Sequence, residues 1–205
     1  LVVAFYADIT FAGQTLEYTG NTSHALLKYD SNGNEVWGKV TPGVTNPWDS
    51  DITISSNNEV YITNYTSTTI TFANEIITHT EGNSREIVLY KYDSDGNEIW
   101  AKMIDCGTGN DAGLGVTTDS NNNVYLVGYA SNENINFANQ TLTITDEGDC
   151  VVFKYDSNGN EIWGRSVGGL GFDNFNKVNI DNLDNIYIIG KIKTSITFAG
   201  QTLEY

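Results

Sequence analysis

The chain has 205 residues and carries 10 Lys and Arg against 26 Asp and Glu, a formal net charge of −16, which excludes a nucleic-acid backbone or an anionic membrane surface as partner, because both are held by clustered cations. Its only arginines are Arg85 and Arg165, and its apolar runs, such as residues 124–127 and 186–189, fall far short of the ~20 residues that span a bilayer. Two cysteines, Cys106 and Cys150, exclude a disulfide-dense scaffold and a four-cysteine zinc site.

Taken in chain order, the first residues carry no initiating methionine and no signal-like stretch, so we expect a piece of a longer protein. Residues 1–41 read as strands B, C and D of a first unit, with KYDSNGNEVW at residues 28–37. Residues 51–105 form a complete unit with KYDSDGNEIW at 91–100, and residues 114–168 form another with KYDSNGNEIW at 154–163. Residues 175–205 supply strands A and B of a fourth. The motif repeats at a spacing of 63 residues both times. Two further markers keep the same register: a tyrosine at Tyr61, Tyr125 and Tyr187, and an I-x-F triplet starting at Ile9, Ile70, Ile135 and Ile196.

Within the third unit, residues 115–119 form a short strand A, 124–130 strand B, 150–156 strand C and 161–167 strand D. Asn32-Gly33, Asp95-Gly96 and Asn158-Gly159 mark the C to D turn as a hairpin. The extra length between B and C, residues 135–145, suits a small additional hairpin. No helical periodicity occurs anywhere. The expected fold is all-β: propeller blades of four antiparallel strands, about 3.25 repeats of ~63 residues, either a partial propeller or a fragment of a longer array.

The combined motifs resemble the bacterial beta-propeller repeat family, often described as seven-bladed. They are D-x-x-x-N-x-Y-x-x-G (Asp119, Asn123, Tyr125, Gly128; Asp181, Asn185, Tyr187, Gly190), K-Y-D-x-[ND]-G-N-E-x-W, and G-x-G-x-D (Gly107, Gly109 and, after one insertion, Asp111; Gly169, Gly171, Asp173). The first complete unit departs from the pattern, with Ser55 for the first Asp, Asn64 for the last Gly, and TPGVTNPWD at residues 41–49 in place of the glycine loop. The resemblance implies a module of a large secreted or cell-surface bacterial protein. It implies a non-enzymatic scaffold, spacer or adhesive element, whose partners are further copies of the repeat or other chains that complete the propeller. The alternative is a glycan-binding propeller.

Strand order puts the A to B and C to D turns on one rim and the B to C and D to A connections on the other. The D to A rim holds the candidate ligand residues: Trp48 with Asp49, Asn110 with Asp111, and Phe172 with Asp173. An aromatic ring beside a carboxylate stacks on a sugar and hydrogen-bonds to it. The competing explanation is that these glycines and aspartates only turn the chain from an outer strand into the next inner one.

Trp37, Trp100 and Trp163 are expected to fill the gaps between blades. Tyr29, Tyr92 and Tyr155 are expected to pack their rings with the hydroxyl at the rim. Lys28, Lys91 and Lys154 recur inside apolar strands and need acceptors, for which an inter-blade pair with Asp119 or Asp181 is the expectation. The acidic C to D turns resemble the opening of a calcium loop but lack its terminal bidentate glutamate. Calcium is therefore the one cofactor left in view, and no metal site is assigned. The same turns miss the spacing of the sialidase aspartate box. His24 and His79 read as separate surface residues without catalytic partners, and Cys106 and Cys150 as either buried thiols or an inter-blade disulfide.

Overall fold

The computed structural model describes residues 2–18, 23–43, 50–79, 84–131, 134–145 and 147–204, and these residues contain strands and turns with no helix. The first blade runs β1 (Val2–Phe5), a two-stranded hairpin of β2 (Ile9–Phe11) and β3 (Gln14–Leu16), then β4 (Ser23–Tyr29) and β5 (Glu35–Thr41), with sheet order β1-β4-β5. The second contains β6 (Asp51–Ile54), β7 (Val60–Thr66), the hairpin β8 (Ile70–Phe72) and β9 (Glu75–Ile77), β10 (Glu86–Tyr92) and β11 (Glu98–Ile104). The third contains β12 (Ala112–Thr118), β13 (Val124–Ala130), the hairpin β14 (Ile135–Phe137) and β15 (Gln140–Leu142), β16 (Asp149–Tyr155) and β17 (Glu161–Val167). Last come β18 (Asn174–Ile180), β19 (Ile186–Lys191) and the hairpin β20 (Ile196–Phe198) and β21 (Gln201–Leu203). The second and third sheets have the order A-B-C-D with every pair antiparallel. This is a propeller-type repeat.

The C to D turn is the expected hairpin. Asp93 O accepts Gly96 N–H at 3.1 Å, Gly96 has φ +79°, and the register slips between Lys91 and Tyr92. That is a turn followed by a glycine bulge, for which the left-handed position requires glycine. The aspartate organises the loop. Asp93 Oδ1 accepts the N–H groups of Asp95 and Asn97, and Oδ2 accepts the Asn97 side-chain amide. Asp30 and Asp156 repeat this network, and Asp119 and Asp181 use it in the A to B turns.

Each small hairpin closes on two residues of positive φ, such as Ala73 (52°) and Asn74 (64°) or Ala138 (50°) and Asn139 (58°). Alanine is strained there. The first residue of strand D compensates: Glu35, Glu98 and Glu161 accept the N–H of Ala12, Ala73 and Ala138 at 2.7, 2.6 and 2.6 Å. The hairpin phenylalanine then packs on strand C, with Phe72 5.1 Å from both Tyr90 and Tyr92, and Phe137 4.7 Å from Phe153. A small residue in strand D admits the hairpin, since a Cβ on Gly164 would meet Leu142 Cδ1 at 2.9 Å and Phe137 Cδ1 at 3.2 Å.

Hydrophobic clusters lie between blades. One joins Tyr61, Leu89 and Ile104 of the second blade to Leu126, Phe153 and the hairpin residues Ile135 and Phe137 of the third. Another joins Leu26 of the first blade to Ile62, Val88, Tyr90 and Phe72 of the second. Burying such side chains contributes ~1.5–3 kcal/mol each, so adjacent blades stabilise one another.

A polar staple accompanies every complete junction. Lys28 Nζ and Trp37 Nε1 both donate to Ser94 O, at 2.6 and 3.3 Å. Lys91 Nζ and Trp100 Nε1 both donate to Ser157 O, at 2.8 and 3.3 Å. The acceptor expected for the lysines is thereby corrected. The carboxylate partner lies in the lysine's own blade, Lys154 with Asp119 at 3.4 Å and Lys91 with Glu59 at 2.8 Å, and the cross-blade partner is a backbone carbonyl. The tyrosine expectation also changes, because Tyr92 and Tyr155 are buried to the hydroxyl end rather than reaching a wet rim, while Tyr29 is exposed.

Trp100→Ala is expected to cost about 3 kcal/mol in urea unfolding, through the inter-blade void and the lost staple. Trp163→Ala should cost measurably less, because no serine carbonyl among the described residues caps that ring. Equal losses would show that the staple is not the source of the difference.

Candidate functional site

The D to A loops pass beneath the start of strand C. Arg85 N–H donates to Gly109 O and Asp111 N–H to Arg85 O, both at 3.1 Å. Gly148 pairs with Phe172 in the same way at the following junction. Each loop aspartate then turns inward. Asp111 Oδ1 accepts Ser131 N–H at 2.6 Å, and Asp173 Oδ1 accepts Lys193 N–H at 2.6 Å while its Oδ2 accepts Gly169 N–H at 2.9 Å. Both carboxylates are fully buried. Phe172 packs edge-on against Tyr129 with centroids 4.7 Å apart. Asp111 and Asp173 therefore occupy separate blade junctions, each holding the end of a strand B. Trp48 and Asp49 lie outside the described residues.

Asp111 belongs to a cluster that the sequence reading missed. Oxygens of Glu86 and Asp111 and the Cys106 sulfur lie within 4.8 Å of one another, and all three residues are buried. Glu86 Oε2 accepts Cys106 N–H at 2.9 Å and Ser84 Oγ donates to Glu86 Oε1 at 3.2 Å, whereas Asp111 Oδ2 has no hydrogen-bond partner. Burial, with Glu86 and Asp105 adding repulsion, pushes the Asp111 carboxyl up to about 8. Burial likewise raises Glu86, and it holds the Cys106 thiol protonated and so weakly nucleophilic. A thiol between two carboxyls is a poor donor set for calcium, which takes oxygen ligands. At neutral pH the group is suited to retaining a proton. A signal was available in the sequence: Glu86 aligns with Asp149, an acid at the first position of strand C in both complete units.

The acidic C to D turns spend their carboxylate oxygens on their own amides, which hold Asp93 below the usual carboxylate range. Cys106 and Cys150 are separate buried thiols. His24 departs from its expected surface position. It sits in β4, fully buried, with neither ring nitrogen hydrogen-bonded, and burial lowers its pKa to about 4. His79 approaches Ser84 O at 3.2 Å.

A cavity of about 600 Å³ lies between the first and second blades, lined by Leu26, Lys28, Trp37, Ile52, Val60 and Ser94 among others. Its wall is mostly apolar, with Lys28, Asn58 and Ser94 among its polar residues.

No family model matches the chain. The chain is similar to an uncharacterized WD repeat-containing protein of Acanthamoeba polyphaga mimivirus, 28% identical over 139 residues, which make up 65% of this chain and 10% of that protein. The chain thus corresponds to about a tenth of the length of the curated relative it matches.

The Asp111 environment sets a pH dependence. Its folded pKa of about 8 stands above the ordinary 3.8, so its contribution to stability is fully present below pH 3.8 and is lost as pH rises toward 8. His24 acts oppositely, losing stability as pH falls from 6.5 toward 4. Asp111→Asn should therefore match the parent near pH 4 and exceed it by several kcal/mol at pH 8. Urea unfolding at both values checks this, with His24 cancelling in the difference.

Proposed function

We propose that the chain is a non-enzymatic repeat module whose blades form a scaffold for interaction with other protein surfaces, carried by a larger secreted or surface protein of bacterial type. The observation that carries this reading is the state of the D to A rim. Two of its carboxylates expected to meet a ligand, Asp111 and Asp173, are buried and committed to strand-end amides. His24 is sealed in the core and both thiols are buried, while the Ser84 hydroxyl, 3.4 Å from His79 Nε2, donates to the buried Glu86 at 3.2 Å. The WD repeat-containing relative supports a repeat scaffold, and the acidic surface supports a soluble partner rather than a polyanion. A secreted or surface location rests on the motif resemblance.

The chain is expected to give no hits on a bacterial glycan array and no turnover in fluorogenic glycosidase and esterase panels. A glycan that quenches tryptophan fluorescence in the parent but not in Trp48→Ala would replace the scaffold reading with the glycan-binding one.

A further inference from the structure

The scaffold reading gives the Glu86, Cys106 and Asp111 cluster no task, and the next junction builds the same loop without it. There Asp149 stands in the place of Glu86, Gly169 in that of Cys106, and Asp173 in that of Asp111. The carboxylates of that junction are satisfied from within the chain. Asp149 Oδ1 and Oδ2 accept the Thr145 hydroxyl and amide at 3.0 and 2.9 Å, and Asp173 Oδ1 and Oδ2 accept the Lys193 and Gly169 amides at 2.6 and 2.9 Å.

The Cys106 junction is wired differently. Its equivalent amide, Cys106 N–H, donates to Glu86 Oε2 at 2.9 Å, so Asp111 Oδ2 is left without a hydrogen-bond partner although its side chain is fully buried. A sealed acceptor with no donor calls for a further group, such as an ion, to complete it. A thiol replaces the glycine at the same place. An oxygen of each carboxyl and the sulfur converge within 4.8 Å of one another, in residues at most 1% exposed.

We infer that Glu86, Cys106 and Asp111 form a binding site for a thiophilic divalent cation of the zinc type. The ion ties the start of β10 to the chain leaving β11 and to the loop entering β12, so it fastens the second blade to the third at the rim opposite the Ser157 staple.

The donor set selects the ion. One thiolate and two carboxylates suit Zn²⁺, which takes sulfur at ~2.3 Å and carboxylate oxygen at ~2.0–2.2 Å in a tetrahedron. Those bond lengths set neighbouring donors ~3.4–3.6 Å apart, so the cluster closes on an ion with a small contraction. Calcium and magnesium, which take oxygen ligands, gain nothing from the sulfur. Three protein ligands leave the fourth corner to water.

Both carboxylates are already oriented by donors outside the cluster. Ser84 Oγ donates to Glu86 Oε1 at 3.2 Å, and Ser131 N–H and Oγ donate to Asp111 Oδ1 at 2.6 and 3.3 Å. Such outer partners fix ligand geometry before the metal arrives. Charge favours a cation as well: Asp105, exposed on the rim, adds negative potential at all three groups, and His79 opposes it at Glu86. Coordination exchanges a proton for the metal, because burial keeps the Cys106 thiol protonated and that proton passes to solvent as the sulfur–metal bond forms. The inference stands apart from the scaffold reading, since it concerns what joins two blades and not what the blades bind.

Calorimetric titration of the full chain, reduced and stripped with chelator, is expected to show one strong zinc site per chain. Cobalt(II) in place of zinc should give a thiolate-to-cobalt charge-transfer band together with the intense visible bands of tetrahedral cobalt. Cys106→Ser should abolish the charge-transfer band and weaken zinc at least about tenfold, whereas Cys150→Ser, at the other buried thiol, should retain both. Asp111→Asn should weaken zinc to a similar extent. That variant is expected to stay folded, because it removes a buried acid whose ionisation destabilises the metal-free protein, and an unchanged circular dichroism spectrum checks this. Zinc should raise the melting temperature of the parent and not of Asp111→Asn, and calcium should raise neither. Absence of a strong zinc site, a charge-transfer band that persists in Cys106→Ser, or zinc affinity that Asp111→Asn leaves intact would overturn the inference.

Discussion

A single backbone carbonyl in the C to D turn of the second blade, and another in that of the third, holds each to the blade before it. Ser94 O and Ser157 O each accept an ammonium and an indole N–H from the preceding blade, using both lone pairs of one oxygen. The lysine bond is charge-assisted and stronger than a neutral one. Its cost is the burial of a cation, which the same-blade carboxylate offsets for Lys91 and Lys154. The turn must therefore keep its shape. The aspartate network and the left-handed glycine serve this purpose, presenting the serine carbonyl outward at a fixed angle. Loop, lysine and tryptophan recur together in the motif because they form one contact seen from its two sides.

The architecture was legible because it rests on local chemistry. Asn-Gly and Asp-Gly pairs, alternating apolar residues and the 63-residue period specify strands and hairpins without reference to distant residues, and even the small hairpin at residues 135–145 could be read. What escaped was long-range. The partner of Lys28 is 66 residues away and is a carbonyl, which no side-chain pattern can reveal. His24 sits in a strand whose first described neighbours look like a loop edge, and only packing makes it core. The Glu86, Cys106 and Asp111 cluster joins the start of a strand C to the loop leaving the same blade's strand D, and its sole sequence trace is the recurring acid at Glu86 and Asp149.

That cluster also explains why the D to A rim looked like a ligand site. Glycines beside aspartates are what a carbohydrate-binding loop needs, and they are equally what a buried capping loop needs. The glycines let the chain approach closely: a Cβ on Gly109 would lie 2.4 Å from Ser131 O. The aspartates then supply acceptors to amides that have lost their ladder partners at the strand end. Burial decides between the two uses, and residue type alone does not carry it.

The staple also sets a clock for biosynthesis. Lys28 and Ser94, like Lys91 and Ser157, are separated by 66 residues, so a blade emerging from the ribosome has no cross-blade acceptor until that much further chain has been made. At ~5–20 residues per second the delay is roughly 3–13 s, long compared with the microseconds in which a hairpin forms. During that interval each newly folded sheet presents its tryptophan and an apolar face to solvent, next to near-copies of its proper neighbour on other nascent chains. The described blades are thus stapled in one direction, each one blade behind translation.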